Sequence, residues 1–287
     1  MADLSAQATV RLSSVSVGVR TTERREAEIE AVEHDIIERV NAFRAAHNRA
    51  SLVHHPVLSS VAREHSRDMA ARGFYGHADP DGVTPDERVA RVFAPTFLMA
   101  GTAENIAYRE QGGSGAGSPV TADLGRHFME GWINSPGHRA NLLREEMTLI
   151  GVGVAVSGGR VFATQKFMDY LAEIVDPEPG AVLYADDPRV TLRVNLRRVR
   201  PERFVVRVNL PDPRARWELP DRRYYSGFGF LDTEWTSADH VVVELPVDRY
   251  GPGTYSLQFG DRGGHSTYDR RVEYTVREGA DIRRARS

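Results

Sequence analysis

The chain has 287 residues, long enough for two domains of ordinary size. With 41% hydrophobic and 27% charged residues it reads as a globular protein, and a formal charge of −3 supplies no basic footprint for a nucleic-acid partner. The absence of cysteine excludes disulfides, thiolate metal sites and cysteine nucleophiles.

Residues 1–22 are small and polar with a weak alternation at Val15, Val17 and Val19, which reads as a loose arm or an edge strand. A helix is expected from Thr22, with Glu23 and Glu26 near its positive end and Ile29, Val32, Ile36, Val40 and Phe43 on one buried face. A second is expected from Val57 to Arg72, carrying Val61, His65 and Met69 on one face and capped by Gly73 in a left-handed conformation. His65 then reads as a hydrogen-bonded core histidine. His54 and His55, before Pro56, read as solvated, with a surface metal site as the alternative. The loop FYGHADPDG holds His77, and Thr84-Pro85-Asp86-Glu87 is a capping box that opens a short helix.

Residues 111–118, QGGSGAGS, read as a flexible surface loop. Leu124, Phe128 and Trp132 mark an amphipathic helix over 120–134, with Trp132 in the core and Ser135-Pro136-Gly137 as a terminating turn. Strands over Leu149–Val156 and Val161–Phe167 are joined by a hairpin at 157–159. Helices flanking a small antiparallel sheet point to an α/β sandwich, of the α+β class.

The composition then changes. Residues 176–181 read as a linker, and beyond them Val190/Leu192/Val194/Leu196, Phe204/Val206/Val208/Leu210, Tyr255/Leu257/Phe259 and Val272/Tyr274/Val276 alternate with period two. Turn residues separate these runs, Gly263-Gly264 among them. They predict an all-β, immunoglobulin-like sandwich. The expected organisation is an arm at 1–22, a first domain at 23–175, a linker at 176–181, a β-sandwich at 182–279 and a tail at 280–287. Tyr224, Tyr225, Phe228, Phe230 and Trp235 either fill that sandwich's core or stack on a sugar or a partner.

Three polar segments interrupt the N-terminal pattern: Gly76-His77, Ala103-Glu104-Asn105-Ile106-Ala107, and Ser135-Pro136-Gly137-His138-Arg139-Ala140-Asn141-Leu142-Leu143. They follow, in order, a helix with Asn41 and Arg44 near its end and the His65/Ser66/Met69 helix, and precede the strand LIGVGVAV. In that order the chain, over about residues 30–170, resembles the CAP superfamily of cysteine-rich secretory and pathogenesis-related proteins, in its short bacterial and archaeal form. The resemblance implies an α-β-α sandwich with an open cleft where two histidines and acidic residues converge. His77 matches the first histidine and Glu104 the first glutamate. The second glutamate's position holds Ser135, and the usual second histidine is missing from 145–148, so His138 stands in for it. The cleft is thereby reduced to His77, Glu104 and His138, flanked by Asn105 and Ser135.

Two imidazoles and a carboxylate are enough to hold Zn²⁺ or another divalent metal and leave one position open. The same groups could form a hydrogen-bonded structural trio. A Ser135/His138/Glu104 triad is disfavoured, because no nucleophile elbow accompanies it. Asn105 and Asn141 are expected to satisfy backbone groups, and Arg139 to pair with Glu145. The leading functional expectation is a binding module for a small amphiphile, a peptide or a glycan. The alternatives are a metal-dependent hydrolase of peptide or cell-wall material and an adhesion scaffold with an inert cleft.

No apolar run is long enough to span a bilayer, and the N-terminal segment lacks a signal peptide's apolar core. That favours a cytoplasmic product, whereas the family resemblance implies a secreted or cell-surface one. Lys166 is the only lysine in an arginine-rich chain, a skew that reads as coding bias.

Overall fold

The computed structural model describes residues 5–110, 123–157, 159–262 and 271–279, with side chains from Glu23 onward. The expected loop at 111–118, the Gly263-Gly264 turn and the tail at 280–287 lie outside the described residues. The chain divides into two compact units, 1–89 with 102–168, and 90–101 with 169–287. That division falls inside a strand, ahead of residues 176–181. Among the described residues no helix is long and apolar enough to cross a membrane.

In the first unit, α1 spans Ser5–Ala46 and begins well ahead of Thr22, so residues 5–22 are helical and not an edge strand. No proline interrupts this stretch, and lengthening a formed helix costs far less than nucleating one, which overrides the valine alternation. The expected apolar face is buried: Ile36 and Val40 are fully enclosed. At the end of α1 two residues named by the family resemblance work as clamps. Asn41 exchanges hydrogen bonds with the Leu52 backbone at 3.0 and 2.8 Å. The buried Arg44 guanidinium donates to the carbonyls of Ala50, Leu142 and Arg144 at 2.7 to 3.0 Å. The last two are end-of-helix and loop carbonyls that would otherwise lack a partner.

After β1 (Val53–His54) comes α2 (Pro56–Arg72), closed by Gly73 at φ 68° with its N–H on the Met69 carbonyl. The capping box opens α3 (Pro85–Phe93): Glu87 accepts from the Thr84 N–H at 2.8 Å and returns its own N–H to the Thr84 hydroxyl at 3.3 Å. β2 spans Phe97–Glu110, so the Ala103–Ala107 segment is strand. Its alternation was hidden because Glu104, Asn105 and Ile106 are all buried, two of them polar. α4 (Leu124–Asn134) ends at Ser135, but the Ser-Pro-Gly turn also starts a further helix, α5 (Pro136–Leu143), with Pro136 in its first turn. β3 (Leu149–Ser157) and β4 (Arg160–Asp176) form the expected hairpin, paired from Leu149↔Met168 to Ser157↔Arg160. Within the first unit the strand order is β1-β3-β4-β2, which leaves β2 at an edge. α2 packs on one face of this sheet, and α1, α4 and α5 are grouped with one another and with β3.

In the second unit the four period-two runs all form strands. In chain order the strands are β5 (Val182–Tyr184), β6 (Arg189–Val194), β7 (Phe204–Asn209), β8 (Arg216–Glu218), β9 (Tyr224–Ser226), β10 (Phe228–Leu231), β11 (Glu234–Trp235), β12 (His240–Glu244), β13 (Gly253–Asp261) and β14 (Val272–Arg277). One sheet has the order β10-β7-β13-β14-β5, and the end of β4 leads a second through β6, β12 and β11. A single apolar cluster draws on both, from Val190, Leu192 and Val243 to Val206, Leu257 and Tyr274, so the unit is a two-sheet sandwich. Of the five aromatic residues singled out, only Trp235 packs against that core. Tyr225 stacks on Phe228 at 4.7 Å beside Phe230, and Tyr224 stays half exposed.

Candidate functional site

The site is organised by one carboxylate. The Glu104 side chain, on β2, is almost wholly buried, whereas His77, in the loop after α2, is 52% exposed. His77 Nδ1–H donates to Glu104 Oε1 at 2.8 Å. On the neighbouring strand β4, the fully buried Lys166 places Nζ 2.5 Å from Glu104 Oε2. Arg88, on α3, reaches the same oxygen at 3.2 Å and also donates to the carbonyls of His77 and Val83. His65, on α2, holds Nε2 3.8 Å from the carboxylate while donating to the Gly76 carbonyl at 3.1 Å. The loop that carries His77 is therefore tied down at Gly76 by His65 and at His77 by Arg88.

Burial alone would raise the Glu104 carboxyl, but the His77 hydrogen bond and the Lys166 charge outweigh it and hold the group down at about 2. Burial pushes the Lys166 ammonium down, against the pull of Glu104, to about 8. Burial likewise lowers His65 to about 4, so its ring is neutral in the fold at pH 7. The sign for stability follows from linkage. Between its ordinary 6.5 and about 4, His65 takes up its proton in the unfolded chain and not in the folded one. Stability is therefore expected to fall as the pH drops through that window, by on the order of 3 kcal/mol from this residue. Urea unfolding midpoints measured across the window should show the fall, and His65→Gln should flatten it.

His138, on α5, is half-buried, and its imidazole is lowered by burial and by the neighbouring His77. It does not join Glu104: the carboxylate pairs with His77, Arg88 and Lys166, so a hydrogen-bonded His-Glu-His trio is not what forms. Asn105 donates to the His138 carbonyl at 3.1 Å and to Gln165 Oε1 at 3.0 Å. Asn141 donates to the Glu104 carbonyl at 3.2 Å and to Asn105 Oδ1 at 3.0 Å. Both asparagines satisfy backbone groups as expected, and together they fix α5, and His138 with it, against β2. Ser135 caps α5 at its backbone, and among the described residues no hydrogen bond links its hydroxyl to His138, which removes the support for a serine triad. Arg139 lies over the Phe43 ring at 5.6 Å instead of pairing with Glu145, which is held by Arg49 at 2.7 Å. The aromatic face and the closer arginine offer each partner a nearer match.

The residues present do not fit a Glu104-bound metal. A divalent ion on that carboxylate would have to displace or face two cations already within 3.2 Å of it. Among the described residues no three His, Asp or Glu side chains are arranged to hold a metal. His77, Glu104 and His138 lie on a loop, a strand and a helix respectively.

Lys166 and Arg88 were missed as site residues. The available signal was that the only lysine of an arginine-rich chain sits mid-strand among apolar neighbours, where a charge needs a buried partner.

A sheet flanked by helices is the architecture the resemblance implies. Residues 37–167 match the family model described as CAP, the cysteine-rich secretory protein family, and this stretch of the chain is a CAP domain. The chain is 31% identical over 148 residues to the uncharacterized protein YkwD of Bacillus subtilis, covering 52% of this chain and 51% of the relative. It is 32% identical over 136 residues to the uncharacterized membrane protein YlbC of the same organism, covering 47% and 34%. Among solved structures, an extracellular protein containing an SCP domain from Bacillus anthracis is similar at 30% identity and a TM-score of 0.40, covering 49% of this chain and 41% of that one. The chain thus spans about half the length of the first curated relative and a third of the second.

Proposed function

We propose that the CAP domain is a binding module whose cleft recognises a ligand through His77. The observation that carries this reading is the 2.8 Å bond from His77 Nδ1–H to the buried Glu104. In the neutral form of the ring that bond keeps the proton on Nδ1 and leaves Nε2 as an acceptor, and among the described residues Nε2 has no partner. A ligand suited to it offers an O–H or N–H group, as a glycan or a peptide does. A purely apolar molecule would leave that acceptor unused. Arg88, Lys166 and His65 act behind Glu104 as positioning residues.

The test is a screen of oligosaccharides and short peptides by thermal shift, followed by calorimetry on His77→Ala. Because His77 is half exposed, the variant should fold normally and weaken the bound ligand about tenfold or more. Unchanged affinity in His77→Ala would sink the reading. A Zn²⁺ titration in the same instrument separates the metal-dependent hydrolase, which requires one-to-one binding lost in His77→Ala and His138→Ala; no such binding is expected.

We read the second unit as an immunoglobulin-like spacer or second recognition unit, supported by its two-sheet core. We further place the protein at the cell surface in preference to the cytoplasm, since one relative is described as a membrane protein.

A further inference from the structure

On the loop that carries His77 and the strand that carries Glu104 stand two aromatic side chains that the polar cluster does not use. Tyr75 and Tyr108 are 49% and 46% exposed, with ring centroids 4.9 Å apart and planes at 68°, so they form an open corner. The corner is braced. The Tyr75 hydroxyl donates to the Ile106 carbonyl at 3.1 Å, and Tyr108 leans on Phe162 at 6.1 Å. Leaving two adjoining large rings half in water forgoes burial worth about 25 cal/mol per Å² of apolar surface, a cost that is recovered when a ligand covers them.

Their placement ties them to the cleft. Glu104, Ile106 and Tyr108 alternate onto one face of β2, and at about 3.3 Å per residue Tyr108 lies about 13 Å along the strand from Glu104. Tyr75 precedes His77 by two residues in the same loop. The edge of β2 is meanwhile closed to an added peptide strand over this stretch. The Glu104 carbonyl is taken by Asn141 at 3.2 Å, and that of Ile106 by Trp132 Nε1 at 3.1 Å as well as by Tyr75. Backbone hydrogen bonds from an extended peptide would have no acceptors there.

We propose that the Tyr75–Tyr108 corner is a saccharide-stacking subsite and that the cleft takes a short neutral oligosaccharide. One ring lays its C–H face on Tyr108 while a hydroxyl further along the chain donates to His77 Nε2. Sugar rings combine an apolar face with a hydroxyl edge, and the site offers an aromatic corner at Tyr75 and Tyr108 with an acceptor two residues beyond Tyr75 on the same loop. The hydroxyl contact in this inference rests on His77 as the ligand acceptor, whereas the stacking contact rests on the tyrosines alone.

The test is calorimetry of chitotetraose and cellotetraose, up to millimolar concentration, against the full chain and its Tyr108→Ala, Tyr108→Phe and His77→Ala variants. Binding of at least one sugar is expected, weakened about tenfold by Tyr108→Ala and kept by Tyr108→Phe, which retains the ring face. Failure of both sugars to bind the unaltered chain overturns the inference, and so does a Tyr108→Ala variant that binds as well as the parent while near-ultraviolet circular dichroism shows it folded. If sugar binding is lost in Tyr108→Ala but unchanged in His77→Ala, the His77 reading fails and the tyrosine subsite stands. If instead a peptide from the earlier screen depends on His77 and neither sugar binds, the cleft reading stands and the saccharide falls.

Discussion

Gly153→Ala is expected to cost about 4 kcal/mol or more, or to prevent folding, and Gly151→Ala to be nearly as severe. A methyl group at Gly153 would come within 2.0 Å of the Arg63 amide nitrogen and 2.3 Å of its Cα. At Gly151 it would lie 2.3 Å from the Leu58 carbonyl carbon and the Ser59 nitrogen. These are backbone atoms in the first half of α2, so no rotamer change relieves the clash and the helix must lift off β3. The same helix carries His65 and leads through Gly73 into the loop of His77, so any variant that survives should also lose the cleft geometry. The control lies in the same domain. At Gly131 and Gly137, inside α4 and α5, an added methyl group meets nothing within 4 Å. Alanine there should stabilise by about 0.5–1 kcal/mol, since glycine is entropically costly in a helix. Urea denaturation of the four single variants separates the two classes. Mild effects at Gly151 and Gly153 would mean that α2 does not lie flush on the sheet.

That close approach explains why the two small residues of LIGVGVAV were legible as part of a strand but not as the seat of a helix: glycine carries no side chain from which a partner can be inferred. Legibility elsewhere followed how local the cause was. The Thr84–Glu87 capping box, the Gly73 cap and the antiparallel pairing of β3 with β4 each depend on neighbours close in the chain, and each formed as expected. The period-two strands of the second unit were readable because apolar and polar residues divide between two faces, as at Val190, Leu192 and Val194 on β6. β2 was not readable, because its central residues Glu104 and Asn105 are buried for their polar contacts and erase the alternation. The start of α1 was misplaced because Thr22 looks like a cap and nothing in the sequence marks the helix as continuous. At the site, His77, Glu104 and His138 could be picked out by matching known segments. Their pairing could not, since it is set by Lys166 and Arg88, which approach from β4 and α3. His65 was correctly placed by helical periodicity as a buried, hydrogen-bonded residue, though not as the anchor of the His77 loop.

The largest electrostatic effect is expected from separating Glu104 and Lys166. Lys166→Met and Glu104→Gln should each destabilise the protein by about 3–5 kcal/mol, because each leaves a buried charge facing the remainder of the cluster without its partner. The double variant should cost clearly less than the sum of the two, since a neutral amide beside a thioether carries little of the desolvation penalty that the lone ions do. The two single variants are further distinguished by pH. In Glu104→Gln the carboxylate charge that raises the Lys166 ammonium is gone, so its proton-loss pH must move below the value of about 8 that it has beside that carboxylate. The unfolded chain still holds that proton to about 10.5, so Glu104→Gln should gain stability as the pH rises through neutrality, whereas Lys166→Met, lacking the group, should not. The Glu104→Gln amide can still accept from His77 but carries no charge, so the His77 loop should loosen without detaching. A double-variant cycle in urea at pH 6 and pH 9 reads all of these effects. Additivity of the two single substitutions would mean that Glu104 and Lys166 are not in contact, and the site would then have to be redrawn around Arg88 alone.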